Sequence, residues 1–275
     1  MSENRAARVS GYLLALVIMF TIPAQAKSEM TVHFIDVGQG GAVLIQKAGK
    51  TYMYDCGDTF AGKDVVDYLQ DQEVAEIDSM IISHAHKDHM GGCIDVLNSA
   101  VKVGTVYYNG SKHKTKTWTK FLKVARQKQT ALQVVEKDMT VDGIELMVAY
   151  DSHGEYDSEA DNSILARFVD NKVKVLLTGD CEIACEREVV KQSTVDATVL
   201  NVGHHGSKDS SSEEFLRRVK PKIAVISVGK NSYGHPTTQA MKRLDDIHAK
   251  KYRTDHDGSV VIESNGVKVK VQTDQ

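Results

Sequence analysis

Short hydrophobic runs alternate with stretches of helical spacing along most of the chain. The runs predict strands, whose sequences in chain order are TVHFIDV, AVLIQ, TYMYD, IDSMIIS, IELMVAY, SILARFV, VKVLLTG, ATVLNVG and KIAVISVG. Helical spacing predicts helices at DVVDYLQDQ, residues 117–128, CEIACEREVVKQ, SSSEEFLRRV and TTQAMKRLDDIHAK. Strands towards both ends with helices between them predict an α/β fold of two mixed sheets that carry helices on the outside.

Local signals place several boundaries within this pattern. Ser211, followed three residues later by Glu214, predicts a capping box at one helix start, and Pro221 predicts the end of that helix. VVIESNGVKVKV predicts a hairpin that turns at Asn265-Gly266. Because no repeat or linker interrupts the pattern, we predict one domain over residues 29–275.

The first 26 residues differ from the rest of the chain. Arg5 and Arg8 precede an apolar stretch over residues 13–22, and Ala24 and Ala26 form an A-x-A pattern. These features predict a cleavable secretory signal. The alternative is a membrane anchor, but the stretch is shorter than the roughly 20 residues that span a bilayer. We therefore expect a secreted, extracytoplasmic product without stable membrane insertion after cleavage.

Composition places the chain among globular proteins, with 41% hydrophobic and 26% charged residues. The formal net charge is -3, and loss of Glu3, Arg5 and Arg8 (net +1) would leave -4. This balance excludes a generally basic nucleic-acid-binding surface but not a local basic patch.

Four cysteines are compatible with disulfides outside the cytoplasm. Cys56 and Cys93 each lie beside a candidate site segment, which favours that pair. Cys181 and Cys185 are four residues apart, and a disulfide across one helical turn is geometrically awkward. Free buried thiols are the alternative for all four.

The segment SHAHKDHMGG concentrates metal ligands. In extended chain His84 and His86 project to the same side, whereas Asp88 and His89 lie further on and point differently. One cation cannot easily accept four ligands from so short a loop, but two cations roughly 3.5–4 Å apart can. Imidazole and carboxylate groups suit zinc, manganese or iron better than calcium. A polar loop with chance histidines is the alternative.

Three other apolar strands also end on acidic or imidazole groups. Asp55 ends TYMYD, Asp180 follows VKVLLTG, and His204 and His205 follow ATVLNVG. Ligand sites in α/β proteins commonly collect at the carboxyl ends of strands. We therefore expect these groups to lie close to the histidine cluster.

These motifs resemble those of the metallo-β-lactamase-like hydrolase superfamily. Within it, HFIDVGQGGAVLI, DNSILARF, LLTGD, VGHHGSKDSSSEEFL, AVISVGKNSYGHP and YRTDHDG look like the hydrolase domain of ComEC-type competence (DNA-uptake) proteins, in the same order over nearly all of residues 31–262. The resemblance implies an αββα sandwich of two mixed β-sheets flanked by helices.

The resemblance also implies a centre of two divalent cations, zinc or manganese. It gives His84 and His86 to the first metal, and Asp88 and His89 to the second. Asp180 would bridge the two metals. His204 would complete the second metal's ligands, with His205 as the competing assignment. Asp55 would orient the cluster from behind.

Two departures from the family pattern affect this site. The family's third histidine is missing, and SEADNSIL stands in its place, so Asn162, Asp161 or water would fill that position. Gly41 stands where relatives usually carry an acid.

Groups that would act on substrate are also implied. Besides Asp88, which can orient the nucleophile, His235 and Tyr233 are candidates for donating a proton to the leaving group or for binding phosphate, with a structural turn as the alternative. Ser207 and Lys208 lie near a predicted helix start, where they would hold phosphate or simply cap the helix.

Residues 111–128 carry seven Lys or Arg and no acid, with Trp118 and Phe121 among them. Such a segment suits single-stranded nucleic acid through phosphate attraction and base stacking. A helix with a solvated basic face and buried aromatic residues is the favoured alternative.

Together these observations predict a secreted dimetal hydrolase that cleaves phosphodiester bonds with a metal-bound hydroxide, resembling a ComEC-like DNase. Its substrate would be nucleic acid, or alternatively a cell-surface phosphodiester of the choline-phosphate or teichoic-acid type. A β-lactamase and a non-catalytic binding module are further alternatives. The sequence does not indicate the oligomeric state.

Overall fold

The computed structural model describes residues 30–111, 113–149 and 162–275. The predicted signal segment lies outside these ranges and stays a prediction. Within them, no helix is long and apolar enough to cross a membrane.

Eight described strands form the first β-sheet. In chain order they are β1 (Met30–Phe34), β2 (Ala42–Lys47), β3 (Lys50–Cys56), β4 (Glu76–Ile81), β5 (Lys102–Tyr108), β6 (Ala131–Val134), β14 (Val260–Ser264) and β15 (Val269–Thr273). Their order across the sheet is β15-β14-β1-β2-β3-β4-β5-β6. The strands from β3 to β6 are parallel to one another, and the other neighbours pair antiparallel.

Seven described strands form the second β-sheet. They are β7 (Met139–Val141), β8 (Ile144–Val148), β9 (Ile164–Asp170), β10 (Val173–Leu177), β11 (Val199–Asn201), β12 (Ile223–Ile226) and β13 (Lys250–Arg253). Their order across the sheet is β13-β12-β11-β10-β9-β8-β7. The strands from β10 to β13 are parallel, and both sheets are therefore mixed.

Helices connect many of these strands. They are α1 (Gly62–Asp71), α2 (Lys87–Met90), α3 (Cys93–Asn98), α4 (Lys116–Gln127), α5 (Ile183–Gln192), α6 (Glu213–Val219), α7 (Thr238–Asp246) and α8 (Thr254–Asp257).

Three hydrophobic clusters show how the layers pack. The first joins the outer face of the first sheet to α1, α3 and α4, and includes Leu69 and Phe121. The second lies between the two sheets, where the rings of Tyr52 and Phe168 meet edge to face with centroids 5.6 Å apart. The third joins the second sheet to α5, α6 and α7, and includes Phe215. The layers are helix, sheet, sheet and helix, which confirms the predicted αββα fold.

Local details follow the sequence with some corrections. The predicted hairpin forms between β14 and β15, with Ser264 opposite Val269. The helix cap is one residue later than expected, because the Ser212 hydroxyl accepts a hydrogen bond from the backbone N–H of Phe215. Ser211 instead has a left-handed backbone (φ 53°) and donates its backbone N–H to Glu186.

Both cysteine pairs form disulfides. Cys56 and Cys93 join the end of β3 to the start of α3, with Cα atoms 5.2 Å apart. Cys181 and Cys185 are also bonded, with Cα atoms 5.4 Å apart, and this corrects the expectation drawn from helical spacing. The physical reason is that Cys181 precedes α5, so the two residues do not share a helical turn.

Candidate metal centre

The carboxyl ends of four parallel strands position the candidate ligands. Asp55 lies near the end of β3, the SHAHKDH loop follows β4, Asp180 follows β10, and a 3₁₀ turn over Gly203–Gly206 follows β11. The two sheets therefore deliver these groups to one shared edge. That is where the sequence predicted a site.

The backbone is strained at three of these positions. Asp55, His204 and His205 all have left-handed backbone angles, with φ of 56°, 48° and 53°. Non-glycine residues adopt this conformation at a cost of about 1–3 kcal/mol each, and such residues cluster at functional sites. The strain in the GHHG turn directs two adjacent histidine side chains differently.

A first donor trio consists of His84, His86 and Asp180, whose ligand atoms all lie within 4.8 Å of one another. His84 Nε2 lies 2.9 Å from His86 Nδ1 and 3.5 Å from Asp180 Oδ2. His84 and Asp180 are both buried.

A second donor trio consists of Asp88, His89 and His205. His205 Nε2 lies 3.3 Å from His89 Nε2 and 3.4 Å from Asp88 Oδ2. His89 Nε2 also lies 3.0 Å from Asp180 Oδ1. One oxygen of Asp180 therefore faces each trio, which is the arrangement that a bridging carboxylate requires.

His204 lies outside the second trio. Its Nδ1 is 2.9 Å from Glu182 Oε1, and its Nε2 is 3.5 Å from Asp180 Oδ2, the oxygen that faces His84. The geometry therefore favours the competing assignment, His205, over His204 for the second metal. Sequence spacing could not separate them because the two residues are adjacent and the backbone turns sharply between them.

Outer hydrogen bonds fix the orientation of three imidazole rings. His89 Nδ1 donates to Asp55 Oδ2 at 2.8 Å, and His205 Nδ1 donates to the carbonyl of Ser227 at 2.7 Å. His84 Nδ1 lies 2.9 Å from the Ser83 hydroxyl, which itself donates to Asp55. With Nδ1 committed outward, each ring presents Nε2 to the site, as metal-ligating histidines do.

Gly41 lies against the pair formed by His89 and Asp55. A Cβ atom at position 41 would be 3.2 Å from His89 Nδ1 and 3.6 Å from Asp55 Oδ2. The family's usual acid at this position would therefore stand directly beside the site, and this chain has no carboxylate there.

The charges of the buried groups are strongly coupled. Burial alone would lower the pKa of His89, but the carboxylates of Asp180 and Asp55 outweigh burial and raise this pKa well above its usual value. Burial would raise the pKa of Asp180, yet His89, His205 and His84 hold it well below the usual range. Burial is the main cause that lowers the pKa of His84. The centre thus combines buried carboxylates with compensating imidazoles.

The donor set fits two divalent cations. Asp180 Oδ1 is buried, and its near neighbour at 3.0 Å is His89 Nε2, itself a candidate ligand atom, so a cation can take both. Neighbouring imidazole nitrogens point at one another and at carboxylate oxygens, an arrangement that a cation between them would stabilise. Imidazole and carboxylate ligands together suit zinc or manganese.

The position of the missing third histidine is only partly described. Asp161 lies outside the described residues. The backbone carbonyl of Asn162 accepts a hydrogen bond from Asn109 Nδ2 at 2.9 Å, and the next residue, Ser163, accepts the backbone N–H of Asp180 at 3.2 Å. Residue 162 therefore lies near the first trio, and its role as an oxygen ligand stays a prediction.

An open pocket of about 590 Å³ gives access to this centre. Its lining includes both trios' residues His86, Asp88, Asp180 and His205, and also His204. The remaining lining residues are Gln39, Asp58, Phe60, Lys87, Lys230, Tyr233 and His235. Of these last seven, sequence reasoning identified only Tyr233 and His235. Lys87 lies inside the histidine motif, and Gln39 and Lys230 lie inside segments that resemble the competence proteins, but Asp58 and Phe60 lie outside all of these motifs.

The substrate-side candidates divide into two groups. His235 and Tyr233 line the pocket, and the His235 ring lies 5.5 Å from that of His204 between centroids. Burial and the neighbouring histidines lower the pKa of His235. Ser207 and Lys208 are not among the lining residues, and α6 begins only at Glu213. Ser207 and Lys208 therefore do not stand at the helix start, and their part in holding phosphate stays a prediction.

The basic segment, residues 111–128, agrees with the interpretation as a helix that has a solvated basic face and buried aromatic residues. Trp118 and Phe121 are buried in the first hydrophobic cluster, where their rings stack with centroids 5.4 Å apart. They are therefore not available to stack on bases. Among the residues described between 111 and 128, none lines the pocket, although the segment follows β5 at the same sheet edge as the histidine loop.

Comparison with protein families matches residues 35–230 to the metallo-beta-lactamase superfamily. The chain is 28% identical over 271 residues to ComE operon protein 3 of Bacillus subtilis (strain 168), covering 89% of this chain and 34% of that protein. It is 29% identical over 256 residues to Competence protein ComA of Neisseria gonorrhoeae, covering 90% and 34%. The chain thus spans about a third of the length of the curated relatives it matches.

Among solved structures, the chain is similar to Tm1679, a metal-dependent hydrolase of the beta-lactamase superfamily. The TM-score is 0.58 at 14% identity, over 86% of this chain and 100% of that chain. At this identity the similarity shows the fold alone. Fold, family match and relatives agree with the resemblance drawn from the motifs, which is thereby confirmed.

Proposed function

Because the chain belongs to the metallo-β-lactamase superfamily, we propose that it is a metal-dependent phosphodiesterase whose substrate is nucleic acid. The observation that carries the proposal is the pair of donor trios placed on the two sides of Asp180. Two cations held by these trios would act together in the hydrolysis of phosphodiesters.

The chemistry depends on what the chain's own side chains hold in place. Bound cations would lower the pKa of water and stabilise negative charge on the phosphoryl oxygens. Asp180 fixes the separation of the two trios, and Asp55 fixes the ring of His89. Asp88, half-buried and open to the pocket, is placed to orient the attacking water. With its pKa lowered, His235 is neutral at neutral pH, and its ring N–H can donate a hydrogen bond to the leaving oxygen.

Two observations support nucleic acid as the substrate. One curated relative is named as a competence protein, and competence denotes the uptake of DNA by a cell. The pocket also combines the candidate metal centre with the exposed side chain of Lys230, whose positive charge suits a polyanionic strand. Because the chain spans only a third of its relatives' length, a role in uptake itself is not part of the proposal.

We also propose that the protein works outside the cytoplasm. The signal-like residues 1–26 motivate this localisation. The two disulfides support it, because such bonds persist in oxidising compartments and are rare in the cytosol.

A substrate panel tests the proposed function. The purified protein is loaded with zinc or manganese and given single-stranded DNA, a small chromogenic phosphodiester and a chromogenic β-lactam. We expect hydrolysis of the first two, loss of activity in EDTA, and no turnover of the β-lactam. Asp180→Ala is the inactive control.

Each other pattern identifies a competing function. Turnover of the small phosphodiester without DNA would favour the cell-surface phosphodiester alternative. Turnover of the β-lactam alone would identify a β-lactamase. A protein that holds its metals and cleaves none of the three would be a binding module.

A further inference from the structure

Two aromatic rings stand exposed at the rim of the candidate active-site pocket. Phe60 is 69% exposed and Tyr233 is 73% exposed, and both line the pocket that contains Asp88 and Asp180. The other large hydrophobic residues that are exposed in the described part of the chain, Val134 and Val267, are aliphatic and lie elsewhere. We propose that Phe60 and Tyr233 are stacking surfaces for unpaired nucleobases beside the cleaved phosphate, and that the enzyme therefore acts on single strands; this rests on the proposed function.

The loop that carries Phe60 is anchored on both sides. It connects β3 to α1, and the backbone N–H of Ala61 donates to the Asp58 carbonyl at 3.0 Å. The buried Asp58 side chain pairs with Lys87 Nζ at 3.0 Å. Ala61 itself is buried, so the neighbouring backbone is packed while the Phe60 ring faces solvent.

The loop that carries Tyr233 is braced by one side chain. Asn231 Oδ1 accepts the backbone N–H groups of Tyr233 and His235 at 3.0 and 3.1 Å. Asn231 Nδ2 donates to the carbonyls of Gly229 and His235, each at 2.8 Å. Tyr233 is therefore exposed on a turn that these hydrogen bonds stabilise.

The two rings approach the site from different sheets. Phe60 follows β3 of the first sheet, whereas Tyr233 lies between β12 and α7 of the second sheet. The donor trios are also built from both sheets at this edge. A strand whose phosphate lies at the centre can thus reach a ring carried by each sheet.

The charges around the rings match a nucleic-acid strand better than an apolar partner. Lys230 is exposed and forms no ion pair within the described ranges, whereas Lys87, the other amine at the pocket, is paired with Asp58. Aromatic faces bind bases with little regard to sequence, while lysines attract phosphates. In a duplex the base faces are covered by neighbouring bases, so this arrangement selects unpaired nucleotides.

Equilibrium binding without turnover tests the proposal. Fluorescence anisotropy in EDTA compares three labelled probes: a short oligothymidylate, an abasic phosphate oligomer of the same length, and a duplex. The protein is expected to favour the oligothymidylate over both others. Phe60→Ala and Tyr233→Ala should each reduce the preference for oligothymidylate over the abasic oligomer by about tenfold, the usual loss for one base–aromatic stack.

Matched variants separate stacking from other roles. Tyr233→Phe should retain the preference, because stacking needs the ring and not the hydroxyl. Val134→Ala and Val267→Ala remove exposed apolar side chains away from the pocket and should leave all three affinities unchanged. Circular dichroism and thermal melting confirm that each variant is folded.

The proposal is overturned if the protein binds the abasic oligomer as tightly as oligothymidylate. It is equally overturned if Phe60→Ala and Tyr233→Ala weaken both single-stranded probes alike. Since no cleavage is involved, either outcome is independent of the hydrolase assay. Conversely, a protein that shows the stacking preference but hydrolyses no phosphodiester would contradict the proposed function and leave the stacking proposal intact.

Discussion

Asp180 places Oδ1 at 3.0 Å from Nε2 of His89, while its other oxygen faces His84. The carboxylate is almost fully buried, and His89 Nδ1 is held from behind by Asp55. This relationship links the two donor trios into one centre. It also explains why a buried acid can remain ionised, since three histidines surround it.

His205 and His204 provide the sharpest test of the ligand assignment. His205→Ala removes a member of the second trio, so we expect it to reduce metal affinity by more than the about 10–100-fold typical of losing an outer partner. His204→Ala should have a smaller effect. Competition with a chromophoric chelator measures both variants under the same conditions. If His204→Ala lost more metal affinity than His205→Ala, His204 would be the ligand of the second metal.

Asp55→Asn tests the positioning of His89. An amide can no longer accept the Nδ1 proton as a charged partner, so we expect activity to fall by about 10–100-fold while both metals remain bound. Metal analysis and steady-state kinetics on the same preparation separate the two effects. If both metals were lost, Asp55 would have to hold them more directly than its geometry indicates.

His33 is expected to make the fold sensitive to acid. Burial lowers the pKa of His33 to about 4, although Glu263 acts in the opposite direction. Because the folded pKa lies below the unfolded value, the stabilisation is complete above about pH 6.5 and is lost as pH falls from 6.5 towards 4. The loss should reach about 2–3 kcal/mol by pH 4.5.

Urea unfolding in EDTA at pH 7 and pH 4.5 measures this effect. The variant His33→Leu removes the titrating group, so its free energy of unfolding should fall less over the same interval. An identical pH dependence in His33→Leu and the parent would show that His33 is not responsible. The comparison of slopes is unaffected by any constant cost of the substitution.

Substitution of Lys114 and Lys116 tests whether the basic segment, residues 111–128, binds nucleic acid. Since Trp118 and Phe121 are buried, only phosphate attraction is left, and we expect Lys114→Gln with Lys116→Gln to raise KM for long single-stranded DNA by about two- to fivefold at low salt. The effect should shrink as salt rises. The matched control is Lys268→Gln with Lys270→Gln. These residues lie at β15, which forms the opposite edge of the first sheet from β5 and β6. Equal KM values for the two double variants would show that the segment is a solvated helix without a role in DNA binding.

Much of the fold could be predicted because strand periodicity and motif order agreed. The histidine motif predicted ligands at strand ends, and the parallel strands of both sheets do converge there. The sequence did not predict β5, β6, β7 and β13. The last three have only three or four residues, most of them half-exposed, and β5 is mostly exposed or half-exposed over its first four residues, so each carries little hydrophobic signal. Their pairing is decided by neighbouring strands rather than by their own sequence.

The details of the site depended on information that spacing does not contain. The left-handed turn at His204 and His205 determines which imidazole joins the second trio. Phe60 and Lys230 reach the pocket only because loops from two sheets meet there. The disulfide between Cys181 and Cys185 became possible because α5 begins after Cys181.

The central claim is that two metals share Asp180, and metal content measures it most directly. After loading with zinc or manganese and brief desalting, mass spectrometry should find two ions per chain, with one lost on prolonged dialysis, because the first trio lacks the family's third histidine. Asp180→Ala should weaken both ions together, since each trio loses its shared carboxylate. Two equally tight ions would reveal a ligand missing from the assignment. A parent protein that binds at most one ion, or an Asp180→Ala variant that keeps both, would contradict the dimetal centre.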